Sequence, residues 1–156
     1  MRRSKKSGYS LCGGDAMSLY GRDDETWEQL TEAGLKFLIE RARLRKTTSY
    51  TELNTVLERR TGLSGFDFSR QDDRAAMGHL LGRIVERNRP ASGLMISALV
   101  IYLDGNDAGG GFYSLAADLG LLPRKPSARQ KEEFWVGQLN GLYEHYAPMA
   151  GASGSV

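Results

Sequence analysis

The chain has 156 residues, enough for one domain with a core of its own, and its apolar (40%) and charged (26%) fractions are those of an ordinary globular protein. These values exclude a fibrous or wholly disordered chain, and a single cysteine, Cys12, excludes an internal disulfide or a cysteine-held metal cluster. The net charge of +2 hides an asymmetry: residues 41–89 hold eleven Arg/Lys against six Asp/Glu, between acidic flanks. A basic middle of this kind is the electrostatic footprint expected of a surface for a polyanion.

Residues 1–16 mix Arg2, Arg3, Lys5 and Lys6 with Gly and Ser and show almost no apolar pattern, so a disordered basic leader is expected there. No apolar signal-peptide core follows it, and the longest apolar run, Leu94–Leu103, is too short for a bilayer and broken by Ser97. The expectation is a cytoplasmic chain with no membrane partner, a single globular domain over 17–147, and a flexible tail over 148–156.

Within the domain a first helix is predicted to start at Asp23 or Asp24, with Glu25 and Glu28 favourable in its first turn. Trp27, Leu30, Gly34, Phe37 and Leu38 fall on one face, and the basic run Arg41, Arg43, Arg45 and Lys46 suits its C-terminus. Thr47 and Thr48 favour a short extended piece. Ser49 then caps a second helix, with Glu52 completing a capping box and Tyr50, Leu53 and Leu57 as its apolar stripe. A loop over 61–68 leads to Ser69 as the cap of a third helix, whose core face is Met77, Leu80, Leu81, Ile84 and Val85 and which Pro90 stops.

Leu94–Leu103, rich in Ile and Val and bounded by turn residues, predicts a strand. One strand cannot satisfy its own backbone, so partners are expected in the extended residues before Tyr50 and near Gly111–Tyr113. The glycine-rich stretch 104–111 reads as a hairpin turn, followed by a short helix over 112–119 and a last helix opened by Ser127 and Gln130. The order predicts a mainly α fold with a small β-sheet: a winged-helix-like unit, helix-turn-helix plus short β hairpin, with additional N- and C-terminal helices.

Chemistry-bearing residues are sparse. His79 and His145 are the only histidines and stand far apart, with no cysteine at ligand spacing, so no metal or cofactor is expected. Asp72 and Asp73 belong to a helix N-terminus, and Gly109–Gly111 lack the lysine and Ser/Thr of a phosphate loop. An enzyme would need a site gathered from scattered carboxylates such as Asp67, Asp104, Asp107 and Asp118. The arginines offer more. Arg59, Arg60, Arg70, Arg74 and Arg83 lie on the central helix pair, where a planar guanidinium suits phosphates and base edges.

The segment Thr48-Ser49-Tyr50-Thr51-Glu52-Leu53 resembles the opening of the DNA-binding domain in the alkylguanine-DNA alkyltransferase and alkyltransferase-like superfamily. Arg74-Ala75-Ala76-Met77-Gly78 is similar to that family's recognition-helix segment, and the strand, glycine turn and closing helix follow in the same order, over roughly residues 45–122. The resemblance implies a winged-helix-like fold, with Tyr50 and Arg74 helping to turn a nucleotide out of a duplex. Two departures stand out: the linker between the tyrosine and arginine segments is longer than the family's, and its PCHRV motif is absent. Where that motif would stand the chain reads Met95-Ile96-Ser97-Ala98-Leu99-Val100, so alkyl transfer to a cysteine is excluded.

The expectation is therefore a non-enzymatic module for double-stranded DNA, using Tyr50, Arg59, Arg60, Arg70, Arg74 and Arg83. The alternative is a protein-interaction or accessory subunit, phage- or defence-related, that associates with a protein partner or a second copy through Trp135, Tyr143 and Tyr146.

Overall fold

A computed structural model describes residues 19–102 and 107–148. The leader, nearly all of the tail, and Leu103 to Asn106 of the expected strand and turn lie outside the described residues. Five α-helices and a small sheet make up the described fold: α1 (Asp24–Arg43), β1 (Thr48–Ser49), α2 (Tyr50–Thr61), α3 (Gln71–Ser92), β2 (Val100–Tyr102), β3 (Asp107–Ala108), α4 (Gly110–Asp118) and α5 (Ala128–His145).

α1 is the central post. Asp23 caps it, its carboxylate accepting the Thr26 N–H at 2.9 Å, and the predicted face is buried: Trp27, Leu30, Gly34, Phe37 and Leu38. α2 and α3 both lie on that face. Both reach Gly34, where an added Cβ would stand 2.8 Å from Ile84 Cδ1 of α3 and 3.7 Å from Leu57 Cδ2 of α2. The missing side chain lets three helices meet at one point.

The connection over residues 62–70 is held by Asn54 of α2. Its side-chain nitrogen donates to the Phe66 carbonyl at 2.9 Å, and its oxygen accepts the Phe66 N–H at 2.8 Å. α2 ends in Gly62 with φ +73°, a left-handed cap that glycine adopts without strain. Arg70 is the N-cap of α3 in place of the expected Ser69. The reason is competition: the Ser69 hydroxyl donates to the Asp67 carboxylate at 2.6 Å, a charge-assisted bond that takes it away from the helix. α3 also runs past Pro90 to Ser92. Proline in the last turn costs one backbone bond, and this end of the helix is exposed.

The expected strand from Leu94 is mostly something else. Ile96–Leu99 form a turn of 3₁₀ helix, and only Val100–Tyr102 are extended. Met95 to Val100 are all buried, so the apolar run reports burial and not strand conformation. α5 covers this segment and satisfies its backbone: Met95 N–H donates to Gln138 Oε1 at 2.7 Å, and Trp135 Nε1 donates to the Ala98 carbonyl at 2.9 Å.

β2 is the middle of three strands, parallel to β1 (Thr48 opposite Val100) and antiparallel to β3 (Ile101 opposite Ala108). The partner before Tyr50 is the expected one. The second partner is Asp107–Ala108, whereas Gly111–Tyr113 belong to α4. Gly110 and Gly111 likewise form the first turn of that helix and not a hairpin turn, with Gly109 as its N-cap. α5 opens with the expected capping box, Ser127 and Gln130 each bonding the other's backbone.

Candidate functional site

The capping serine Ser49 accepts the Glu52 N–H at 3.0 Å and so fixes where α2 begins. This places Tyr50 at the junction of sheet and helix, half-buried against Tyr102 of β2, ring centroids 4.7 Å apart. Phe68, from the connection between α2 and α3, meets the Tyr50 ring edge-on at 6.5 Å. The reciprocal half of the expected capping box is absent. Glu52 instead accepts from the Thr48 hydroxyl at 2.5 Å and lies 3.9 Å from Arg41.

Burial, together with Tyr102, pushes the Tyr50 phenol up to about 12, so it stays a neutral O–H donor. Gly109 packs directly beneath the pair: a Cβ there would lie 2.5 Å from Tyr102 Cε2 and 3.1 Å from the Tyr50 hydroxyl. A side chain here would have to displace the tyrosine pair.

Arg74 comes up from α3 to the same place. Its guanidinium donates to the Phe68 carbonyl at 2.6 Å, which holds an exposed side chain in a defined direction. Tyr50, Arg74 and Tyr102 together border a cavity of about 360 Å³ and an adjoining hollow of about 220 Å³ that also touches Phe68 and Met77. One wall of the larger cavity is α3, where Gly78 and Gly82 contribute no side chain; the other is α4, with Gly111, Phe112 and Leu115. A Cβ at Gly78 or Gly82 would meet nothing within 4 Å, so these glycines leave the cavity wide. The one deeply buried polar side chain lining it is Ser97, 4% exposed, whose hydroxyl has no hydrogen-bond partner.

The remaining arginines are spread. Arg60 forms a bidentate pair with Glu40 of α1, at 2.8 and 3.1 Å, and lies over the Phe37 ring. Arg83 donates to Thr31 at 3.0 Å and stands 3.6 Å from Glu28, which also holds Arg87 through two 2.7 Å bonds. Both side chains are turned onto α1 and away from the cavity. Arg70 is exposed, with Asp72 at 4.0 Å, and Arg59 is exposed with no ion pair among the described residues. Two of the six expected residues, Tyr50 and Arg74, are thus brought together, and Arg70 begins the helix that carries Arg74.

The aromatic residues of α5 have partners in the core. Trp135 bonds Ala98, the Tyr146 hydroxyl accepts from Asn88 at 2.6 Å, and Tyr143 is half-buried against the same core. Of the scattered carboxylates, Asp67 holds Ser69 and Asp118 holds Arg124 at 2.6 Å. Asp104 lies outside the described residues. Among the described residues no three His, Cys, Asp or Glu side chains converge on a point that could hold a metal ion. Nor is any described helix long and apolar enough to cross a membrane.

Sequence reasoning missed Ser97, Tyr102 and the pair Gly78 and Gly82. The glycines at i and i+4 inside an otherwise regular helix were the available signal, since helices tolerate them at a cost unless space is needed. What fold and cavity define is a helical module with a small mixed sheet, whose pocket opens beside a tyrosine and an arginine. The chain matches no protein-family model, no curated protein and no solved structure.

Proposed function

We propose that the chain is a winged-helix-like, non-enzymatic DNA-binding module that engages duplex DNA over the cavity mouth. Tyr50 and Arg74 stand where a nucleotide leaves the stack. The observation that carries this reading is the meeting of those two side chains, 24 positions apart in sequence, at the rim of a cavity of about 360 Å³. An inserted arginine fills the vacated stack, a buried neutral phenol donates to a phosphate or base without bringing charge, and an open pocket takes the extruded base. In this reading β2 and β3 form the wing, and α3 is the helix presented to the groove.

The site differs from the broad basic face that the composition predicts. Arg60 and Arg83 serve the fold, so few phosphates are contacted and binding depends on the cavity mouth. The test is a fluorescence-anisotropy titration at about 50 mM salt, where phosphate contacts are strongest, with one duplex fully paired and one carrying a single unpaired nucleotide. Binding that favours the unpaired site, and that Arg74→Ala weakens about tenfold, a loss within the range for a charged contact, is the expected result. No binding to either duplex ends the proposal.

A further inference from the structure

The smaller hollow beside the cavity, about 220 Å³, is lined by Tyr50, Thr51, Phe68, Arg74, Met77 and Tyr102. Three of these six side chains are aromatic. Tyr102 is 54% exposed, yet its ring is held in place by Tyr50, 4.7 Å away, and by Gly109 packed against it. Phe68 meets Tyr50 edge-on, and its carbonyl accepts from the Arg74 guanidinium at 2.6 Å, so phenylalanine and arginine are tethered together. An aromatic hollow of this kind suits either a flat nucleobase or a quaternary ammonium. The charges decide between them. The lining holds an arginine and no carboxylate, which repels a cation and favours a base joined to phosphates.

We propose that this hollow is a second nucleobase subsite, where the base next to the extruded one stacks on Tyr102, so that the preferred substrate is DNA with two consecutive unpaired nucleotides. This inference rests on the DNA reading above and adds the substrate class to it. Tyr50, Arg74 and Tyr102 border both hollows, so occupants of the two are neighbours, as successive nucleotides of one strand are. A paired neighbour is already stacked within the duplex and gains nothing from the tyrosine. An unpaired one gains a stacking partner, and every base has a π-face to offer. The subsite therefore senses how many nucleotides are unpaired and not which bases they carry.

The experiment uses the full chain and duplexes with a two-nucleotide bulge, carrying two bases or one base and one abasic residue in either order. The two-base bulge is expected to bind roughly tenfold tighter than either abasic one, within the range for one base–aromatic stack. Tyr102→Phe is expected to keep that ratio and Tyr102→Ala to bring it close to one. Equal wild-type affinities for the three duplexes overturn the inference and leave the DNA reading standing. A ratio that survives in Tyr102→Ala, or one that Tyr102→Phe loses as well, also overturns it, because the ring face is then not what the second base uses. Displacement of the two-base bulge by free trimethyl-lysine would assign the hollow to a cation, with the same consequence. Failure to bind any of the three duplexes removes the DNA reading and this inference together.

Discussion

Replacing Arg60 by alanine breaks a bidentate pair with Glu40 on the surface of α1. The pair is partly exposed, so the loss is about 1 kcal/mol or less in chemical denaturation, and DNA affinity is expected to stay unchanged. Arg74→Ala has the opposite signature, with little effect on Tm and a loss of binding, because among the described residues its guanidinium hydrogen-bonds only the Phe68 carbonyl. The same double measurement separates fold from function at Gly109. An added Cβ would press on Tyr102 and the Tyr50 hydroxyl, so Gly109→Ala is expected to move the tyrosine pair and weaken binding more than it lowers stability. The family resemblance singled out Tyr50 and Arg74 as a pair. Residue pattern had no means of sorting Arg74 from Arg60 and Arg83, because a guanidinium's partner is chosen by tertiary neighbours.

At the scale of elements, α3 carries both a structural and a functional face. Gly78 points into open space within the cavity wall, so Gly78→Leu fills the cavity and adds helix propensity of roughly 0.5–1 kcal/mol. The expected outcome is a raised Tm with binding to the unpaired-nucleotide duplex abolished; unchanged binding would show that the cavity is not used. Gly34 is the contrasting glycine. Gly34→Ala pushes a methyl against the fully buried Ile84, and overpacking of this kind costs about 1–3 kcal/mol, to be read from denaturant midpoints. His79, on the α3 face towards α1, packs against the Trp27 ring at 4.7 Å and the Tyr20 ring at 5.9 Å, with its Nε2 buried and unpartnered. Burial first, then the nearby Arg83 charge, hold its pKa below the ordinary histidine value of 6.5. The unfolded chain therefore takes up a proton before the folded one, and stability falls as pH drops from 7 through the histidine range, levelling once the folded state also protonates. Thermal melts across that window are expected to show the slope in the wild type and to flatten in His79→Gln. The paired carboxylates Glu28 and Glu40, held low by Arg87 and Arg60, lose their contribution only in the more acidic carboxylate range.

For the whole molecule, the salt dependence of binding measures how many cations the fold has left for DNA. With Arg60, Arg83 and Arg87 engaged by α1, two or three phosphate contacts remain for Arg59, Arg70 and Arg74. Each contributes about −0.9 to the slope of log K against log salt, so a shallow slope of roughly −2 to −3 is expected. A slope twice as steep would mean that the broad basic face is used after all. The starts of α1, α2 and α5 at their Asp23, Ser49 and Ser127 caps and the buried face of α1 follow from the sequence alone, because periodicity and capping are local properties that neighbouring residues decide among themselves. Where Leu94–Leu103 stops being helical turn and becomes strand, which arginines are consumed by α1, and the cavity under Tyr50 were decided only in three dimensions. They depend on α5 covering the 3₁₀ turn, on Glu28 and Glu40 reaching across from another helix, and on two glycines of α3 facing α4, contacts between residues that the chain itself keeps far apart.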